Sequence, residues 1–413
     1  MIGKTNAVSK PGVELSLVVS VTTGATVTAT KGSKVVSGTA SGGSCVLPLP
    51  EAGTWSVKAT LNGETSDTKS VSVVDSYAVA LTFFSATITV EVDSGASVTL
   101  KKGSTTVATK TSTGTAVFTV KETGTYTVEA TKNGQTVSGS VNVVSGTTSY
   151  TLALSFVSST LNDNDWSVIK SVSDAGQGAN YWSIGDRKAV TLNGTVNAWT
   201  LSNVTTYAFI IGFNHNATVE GSNRIHFQLA KTALSGGADV CLCDNYYGNT
   251  SGGFRMNTSQ SNSGGWASSN MRTAICGTSL SSYSGTILAV IPAELRAVLK
   301  SVTKYTNNTG NSTAASAVTA TTDYFFLLSE YEVFGSTTYA NSNEASKQAQ
   351  YAYYSAGNSK IKYKHNATST AARWWLRSPR ASYSGGFVDV YTDGTVYSYN
   401  AGYSYGFAPG FCV

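Results

Sequence analysis

Glu51-Ala52-Gly53-Thr54-Trp55-Ser56-Val57-Lys58-Ala59-Thr60 returns about 71 residues later as Glu122-Thr123-Gly124-Thr125-Tyr126-Thr127-Val128-Glu129-Ala130-Thr131. In both copies apolar side chains alternate (Trp55, Val57, Ala59; Tyr126, Val128, Ala130), the period of a strand with one face on a core. Working outward, Gly24-Ala25-Thr26-Val27-Thr28 matches Gly95-Ala96-Ser97-Val98-Thr99, and Lys31-Gly32-Ser33 matches Lys102-Gly103-Ser104. Val71-Ser72-Val73-Val74 matches Val141-Asn142-Val143-Val144 after a one-residue slip. Val27 with Ala29, and Phe118 with Val120, carry the same alternation. Asn62-Gly63 and Asn133-Gly134 follow the copied strands, the strongest short hairpin signal. Strands of roughly five to seven residues, with a turn signal about every ten, describe a small β-sandwich used twice, over 1–84 and 85–157.

The chain has 413 residues (43.0 kDa), more than one domain needs. It is 41% hydrophobic, enough for real cores, but only 12% charged, about half the usual share. Its polar surface therefore falls to Thr, Ser, Asn and Gly. The net charge of +5 comes without a Lys/Arg cluster, which argues against nucleic acid as a partner. No apolar run approaches the ~20 residues of a membrane span, so no membrane insertion is expected. Met1-Ile2-Gly3-Lys4-Thr5-Asn6 lacks the pattern of a secretory signal, and the apolar-rich stretch from Val13 to Val21 is broken by Glu14, Ser16 and Ser20. Five cysteines give no disulfide framework. Cys241-Leu242-Cys243 reads as alternate strand residues facing a core, with no second pair at zinc-like spacing. His215, His226 and His365 are scattered and read as structural. No metal or cofactor is expected.

From Asp163-Asn164-Asp165-Trp166 the texture changes, marking a third region at 158–413. Asn193-Gly194 reads as another turn. Pro292 to Val302 and Asn343 to Tyr354 read as helices from their apolar spacing. The Ser/Asn/Gly-rich belt Asn249 to Asn270 reads as surface loop. Arg380 to Gly406 differs again: twenty of its 27 residues are Tyr, Ser, Gly, Asp, Asn or Ala. Tyr offers stiff, amphipathic contact area, while Ser, Gly and Asn offer adaptable hydrogen bonds, the composition of an antibody paratope. Within it, Phe387-Val388-Asp389-Val390-Tyr391 and Thr395-Val396-Tyr397-Ser398-Tyr399 flank Thr392-Asp393-Gly394, an Asp-Gly hairpin. One side is expected to pack inward and the other to present tyrosines. Tyr383, Ser384, Asp389, Tyr391, Tyr397, Tyr399, Asn400, Tyr403 and Tyr405 are the candidate ligand contacts. Trp374, Trp375, Arg377, Pro409 and Phe411 are the candidate scaffold.

The Gly-Thr-aromatic-x-Val pattern resembles the short Ig-like spacer modules of bacterial surface and phage tail proteins. Further on, Asp174 to Asp186, Asn223 to Gln228, Arg255 to Thr258, Gly264-Gly265-Trp266 with Asn270-Met271-Arg272, and Trp374-Trp375-Leu376-Arg377-Ser378-Pro379 together resemble an uncharacterised domain family of gut Firmicutes and their phages. The last block, the varied middle and the closing Ala408-Pro409-Gly410-Phe411 also resemble the C-type-lectin-like fold, in its branch related to formylglycine-generating enzymes. Variable proteins of diversity-generating retroelements use that branch. Adenine mutagenesis of Asn codons never yields Lys, Glu, Gln, Met or Trp, and none of these occurs from Arg380 to Val413. The resemblance implies a mainly β chain with a mixed α+β C-terminal domain: two tandem Ig-like β-sandwiches followed by a C-type-lectin-like domain, with a variable surface at 380–406.

These readings lead to a non-enzymatic phage tail-tip or receptor-binding protein, placed in the virion. Its expected partners are a host-cell surface protein or glycan and other phage tail proteins, and a homotrimer is expected by analogy alone. A bacterial surface adhesin of fixed specificity is the alternative. Enzyme chemistry finds little support. Cys412 has no second cysteine within the C-terminal 130 residues to form a thiol pair, and Asp389 and Asp393 are the only acids after Glu344. Asp389 and Asp393 also fall short of the roughly six to eight oxygens calcium takes.

Overall fold

The computed structural model describes residues 15–197 and 199–413. The segment Met1 to Asn6 and the opening of the first repeat lie outside them. The chain divides at Phe156/Val157 into two compact units, within a residue of the 157/158 boundary read from the sequence.

The first unit holds two separate hydrophobic cores. Around the first, the three-stranded sheet Ser44–Pro48, Ser16–Ser20, Ser76–Ala80 faces a sheet built on Lys34–Thr39, Thr26–Lys31 and Gly53–Leu61. Around the second, Gly114–Val120, Ala86–Val92 and Ser149–Ala153 face Thr105–Thr111, Ser97–Lys102, Gly124–Lys132 and Gln135–Val143. The alternation in the sequence has this physical cause. Trp55, Val57 and Ala59, like Tyr126, Val128 and Ala130, all lie inside while their strand neighbours face outward. At the hairpin after the second copied strand, Asn133 and Gly134 both adopt positive φ (51° and 80°), as a turn matching the strands' right-handed twist requires.

The second unit is mixed. Arg187–Val196, Trp199–Phe213, Ile225–Lys231, Gly410–Cys412 and Phe325–Phe326 form a five-stranded sheet in that order. Every residue of Ile225–Lys231 is buried, so both faces of the sheet are covered there. One cover is the helix Trp166–Asp174, whose Trp166, Ile169, Val172 and Ser173 point inward at helical spacing. Trp166 sets its ring edge against Phe227 (5.6 Å) and Phe411 (6.1 Å). Pro409 and Phe411 thus serve the central sheet: Phe411 is fully buried, and the Pro409 carbonyl accepts from Leu229 N at 2.9 Å. No helix among the described residues is long and apolar enough to cross a membrane.

Three local readings are corrected. Asn193-Gly194 is not a turn. It lies inside strand Arg187–Val196 at a register shift, a bulge, and the chain reverses where Val196 pairs with Trp199. The helix read from Pro292 to Val302 runs only over Ala293–Arg296, because Leu299 and Val302 are drawn into packing and strand Val302–Asn307 rather than another turn. The helix read from Asn343 to Tyr354 breaks into Ser342–Lys347 and Ala352–Ser355. Between the pieces, Gln348 spends its side chain on Tyr305 O (2.6 Å) and Ser329 Oγ (2.5 Å), and Tyr351 is buried.

Trp55 is among the largest fully buried side chains of the first unit. Replacing it with Ala is expected to cost about 3–5 kcal/mol. Calorimetry should show the first sandwich's transition falling while that of the second unit stays in place.

Candidate functional site

The Asp-Gly hairpin forms in the register its sequence suggests, with Tyr391 N donating to Thr395 O at 2.8 Å. Strands Trp374–Pro379, Gly386–Val390 and Val396–Asn400 make a three-stranded sheet in which Val390 pairs with Val396. Asp393 is a turn residue: its Oδ1 accepts from Thr395 N (2.9 Å) and Thr395 Oγ1 (2.6 Å), while Gly394 takes φ 86°. Tyr397 stands opposite Asp389 and Tyr399 opposite Phe387, so these four side chains share a face. Tyr383, Tyr397, Tyr399, Asn400 and Tyr403, with Arg380 and Ser398, line a cleft of about 290 Å³.

The candidate contacts sort into two groups. Tyr383, Ser384, Tyr391 and Tyr397 are exposed, and Tyr399, Asn400 and Tyr403 are half-buried. Asp389 and Tyr405 are corrected. Asp389 is fully buried and accepts from Arg373 Nε (2.5 Å) and Nη2 (3.0 Å), so it holds the cleft from beneath rather than meeting a ligand. Tyr405, 7% exposed, packs on Trp375 (5.3 Å) and Tyr399 (5.3 Å). Arg373 ties the array together. Its guanidinium lies 4.3 Å from the Tyr399 ring centre, 4.9 Å from Tyr397, and 5.0 Å from both Tyr391 and Tyr405. A charge fixed by a bidentate carboxylate beneath four rings immobilises them before any ligand arrives.

The loop before the hairpin is held from an unexpected side. The belt Asn249 to Asn270 is irregular, as read, but it is not a free surface loop: Phe254, Met256, Asn262, Trp266 and Ser269 are buried. Asn262 Nδ2 donates to the carbonyls of Arg380 (3.0 Å), Tyr383 (2.9 Å) and Gly386 (2.9 Å). Gln260 Nε2 meets Tyr383 Oη at 2.5 Å. One amide thus serves three carbonyls at the entry to the hairpin, which gives this polar side chain partners where it is buried. Gly406 is structural too. A Cβ there would lie 2.2 Å from Cys241 Sγ and 2.9 Å from the Arg373 carbonyl oxygen.

Beneath the sheet, Trp374, Trp375 and Arg377 are all fully buried. Arg377 donates to both oxygens of Glu332 and to Leu327 O (2.9 Å) and Thr306 Oγ1 (2.8 Å). Lys304 Nζ bridges Glu332 Oε1 (2.9 Å), Glu220 Oε2 (2.7 Å) and Tyr351 Oη (2.9 Å). Burial alone would raise Glu332, but Arg377 and Lys304 hold it well below the usual carboxylate range. Glu220 goes the other way, pushed by burial to about 7. His215 and His226, read as scattered, come together here, each within 4 Å of a Glu220 oxygen (3.7 and 3.8 Å). Burial lowers His215 to about 3 and His226 well below its ordinary value. His215 precedes Glu220 by five residues, a signal present in the sequence. Ligand atoms of His215, Glu220 and Glu332 lie within 4.8 Å of one another, as a metal would need, but the ammonium of Lys304 already occupies the cationic role between the carboxylates. Cys412 joins this cluster, 3.2 Å from His226 Nδ1, with its thiol pushed by burial to about 12. Cys241 and Cys243 are buried as expected, with sulfurs 3.7 Å apart, and His365 Nδ1 accepts from Cys243 N at 3.1 Å.

Two tests follow from this network. Glu332→Gln leaves Arg377 and Lys304 buried with less compensation and should cost about 3–5 kcal/mol. Its pH behaviour is also defined. Glu344, fully buried, is pushed by burial to about 7, so its contribution is full below about 4.5 and is lost as pH rises through 7, and Glu220 follows the same rule. His215 and His226, neutral in the fold, contribute above about 6.5 and lose that contribution as pH falls. Between pH 4.5 and 6.5 the two pairs oppose one another. Glu344→Gln removes one opposing group, so relative to the parent that variant's stability should rise with pH across the same window in denaturant titrations.

Residues 239–413 match the family model described as a domain of unknown function, DUF6273. The match leaves out the segments Asp174 to Asp186 and Asn223 to Gln228, and it takes in the belt, the hairpin and the closing strand. No curated protein matches the chain. Among solved structures, the Bacillus anthracis TIE protein aligns at 14% identity and TM-score 0.18, over 47% of this chain and 44% of that one. The chain thus spans less than half of that protein's length. A family 26 carbohydrate-binding module of Eubacterium rectale Amy13K, solved with maltoheptaose, aligns at 12% identity and TM-score 0.15, over 34% of this chain and 92% of that one. Superpositions this partial constrain neither fold nor ligand.

Proposed function

We propose that the second unit is a non-enzymatic binding domain of C-type-lectin-like type, and that Ig-like sandwiches carry it on a phage tail to grip a host-cell surface ligand. The observation that carries this reading is the cleft of about 290 Å³ lined by Tyr383, Tyr397, Tyr399, Asn400 and Tyr403. Stiff aromatic rings fixed in advance lose little entropy on binding, and polar groups at the rim give orientation. Several copies on one particle would add avidity to a weak single site. A bacterial adhesin of fixed specificity would use the same cleft.

Intact Firmicutes cells incubated with the full chain provide the first test. Tyr397→Ala with Tyr403→Ala should lower retention at least about tenfold, since buried aromatic anchors dominate such interfaces. Val117→Ser on the second sandwich should leave it unchanged. Undiminished retention by the double variant would overturn the reading. Retroelement diversification makes a separate prediction, testable by sequencing this locus across natural isolates. Substitutions should collect at Tyr383, Ser384, Tyr391, Tyr397, Tyr399, Asn400 and Tyr403, and spare Asp389, Tyr405 and Gly406. An invariant segment would leave the fixed-specificity adhesin.

A further inference from the structure

Arg380 lies in the wall of the cleft, and no side chain lining that cleft is acidic. Its guanidinium sits between two rings, 5.2 Å from the Tyr339 centre and 5.6 Å from Tyr383. Among the described residues it donates one side-chain hydrogen bond, to Ser398 Oγ (3.1 Å), and joins no ion pair, while its Nε is buried without an acceptor. Three arginines of this unit differ, Arg272, Arg373 and Arg377 each holding a buried carboxylate, from Asp323, Asp389 and Glu332; Arg224 and Arg255 also bury nitrogens without an acceptor, but neither lines the cleft. A partly desolvated guanidinium with unused donors is costly unless something supplies the acceptor. Its planar fork fits the paired oxygens of a carboxylate or phosphate, and the rings of Tyr339 and Tyr383 flank it.

We propose that Arg380 receives the anionic group of an acidic saccharide, whose ring rests against Tyr397, Tyr399 and Tyr403. This rests on the binding role proposed above and names its ligand class. A saccharide suits the cleft better than a protein surface. The volume of about 290 Å³ is at the small end for compact ligands, whereas a stable protein partner covers about 800 Å². The C–H faces of a sugar ring can lie on tyrosine faces while Ser398, Asn400 and the tyrosine hydroxyls meet its hydroxyls. Neither the Asp389 carboxylate, which is fully buried, nor Asp393, engaged by Thr395, lines the cleft to repel the charge.

The test titrates the full chain by calorimetry with three probes: a uronate-bearing disaccharide, a phosphorylated disaccharide and their neutral counterpart. At least one acidic probe should bind about 10- to 100-fold more tightly than the neutral one, the worth of a charge-assisted hydrogen bond. The two acidic arms distinguish carboxylate from phosphate as the source of the charge. Arg380→Gln should abolish that preference while its melting temperature stays near that of the parent. Tyr397→Ala with Tyr399→Ala should weaken all three probes. Equal binding of acidic and neutral probes, or a preference that survives Arg380→Gln, would overturn the inference and leave the cleft as a neutral site. Binding to none of the three would also overturn it. Retention on intact cells, lost on Tyr397→Ala with Tyr403→Ala, would then show that the binding role itself survives with a ligand of another class.

Discussion

Glu332 is the carboxylate on which the second unit turns. It caps the helix Glu330–Phe334 through a reciprocal pair of hydrogen bonds with Ser329, and in the same position accepts from Arg377 and Lys304. One fully buried side chain therefore fixes a helix start, the strand Val302–Asn307 and the strand Trp374–Pro379. Charges removed from water this completely tolerate little displacement, because each lost contact leaves desolvation uncompensated. Such a cluster specifies geometry more than it adds stability. Hydrophobic side chains of similar size would pack there with less constraint on where Arg377 must lie.

The consequence reaches the surface through a short path. Arg377 is three residues from Arg380 and four from Arg373, and those two arginines organise the cleft and the tyrosine array. The site is thus mounted on a strand whose position is set by charge, and its rings are set by a second buried pair, Arg373 with Asp389. Side chains that look adaptable in composition are in fact preorganised. Among the site's tyrosines only the outermost ones, Tyr383, Tyr391 and Tyr397, have much of their surface in water.

The first unit was legible because its information is local. Alternation at Trp55, Val57 and Ala59 and the Asn-Gly turns are read within ten residues, and the repeat states them twice. Much of the tyrosine hairpin was legible for the same reason, although burial on both faces of Gly386–Val390 placed Asp389 inside. What failed was long-range. No local pattern says that Asn262 will serve carbonyls more than 100 residues away, or that Glu220, Lys304 and Glu332 will converge. Helical spacing at Leu299 and Val302 and around Gln348 lost to tertiary partners, as weak local preferences do. Arg373 and Arg380 stood at the edges of the tyrosine segment, and their unlike surroundings gave no sign in sequence.

The central sheet also sets an order of events. Gly410–Cys412 lies between Ile225–Lys231 and Phe325–Phe326, so the sheet's fourth position stays vacant until the chain beyond the tyrosine segment has been synthesised. Contacts of such sequence separation form late and slowly. A reading-frame error anywhere from Arg380 to Gly406 would replace the strand that completes the core, exposing an open sheet to chaperones and proteases. Completion of the sheet thus depends on the reading frame of the tyrosine-rich segment being kept.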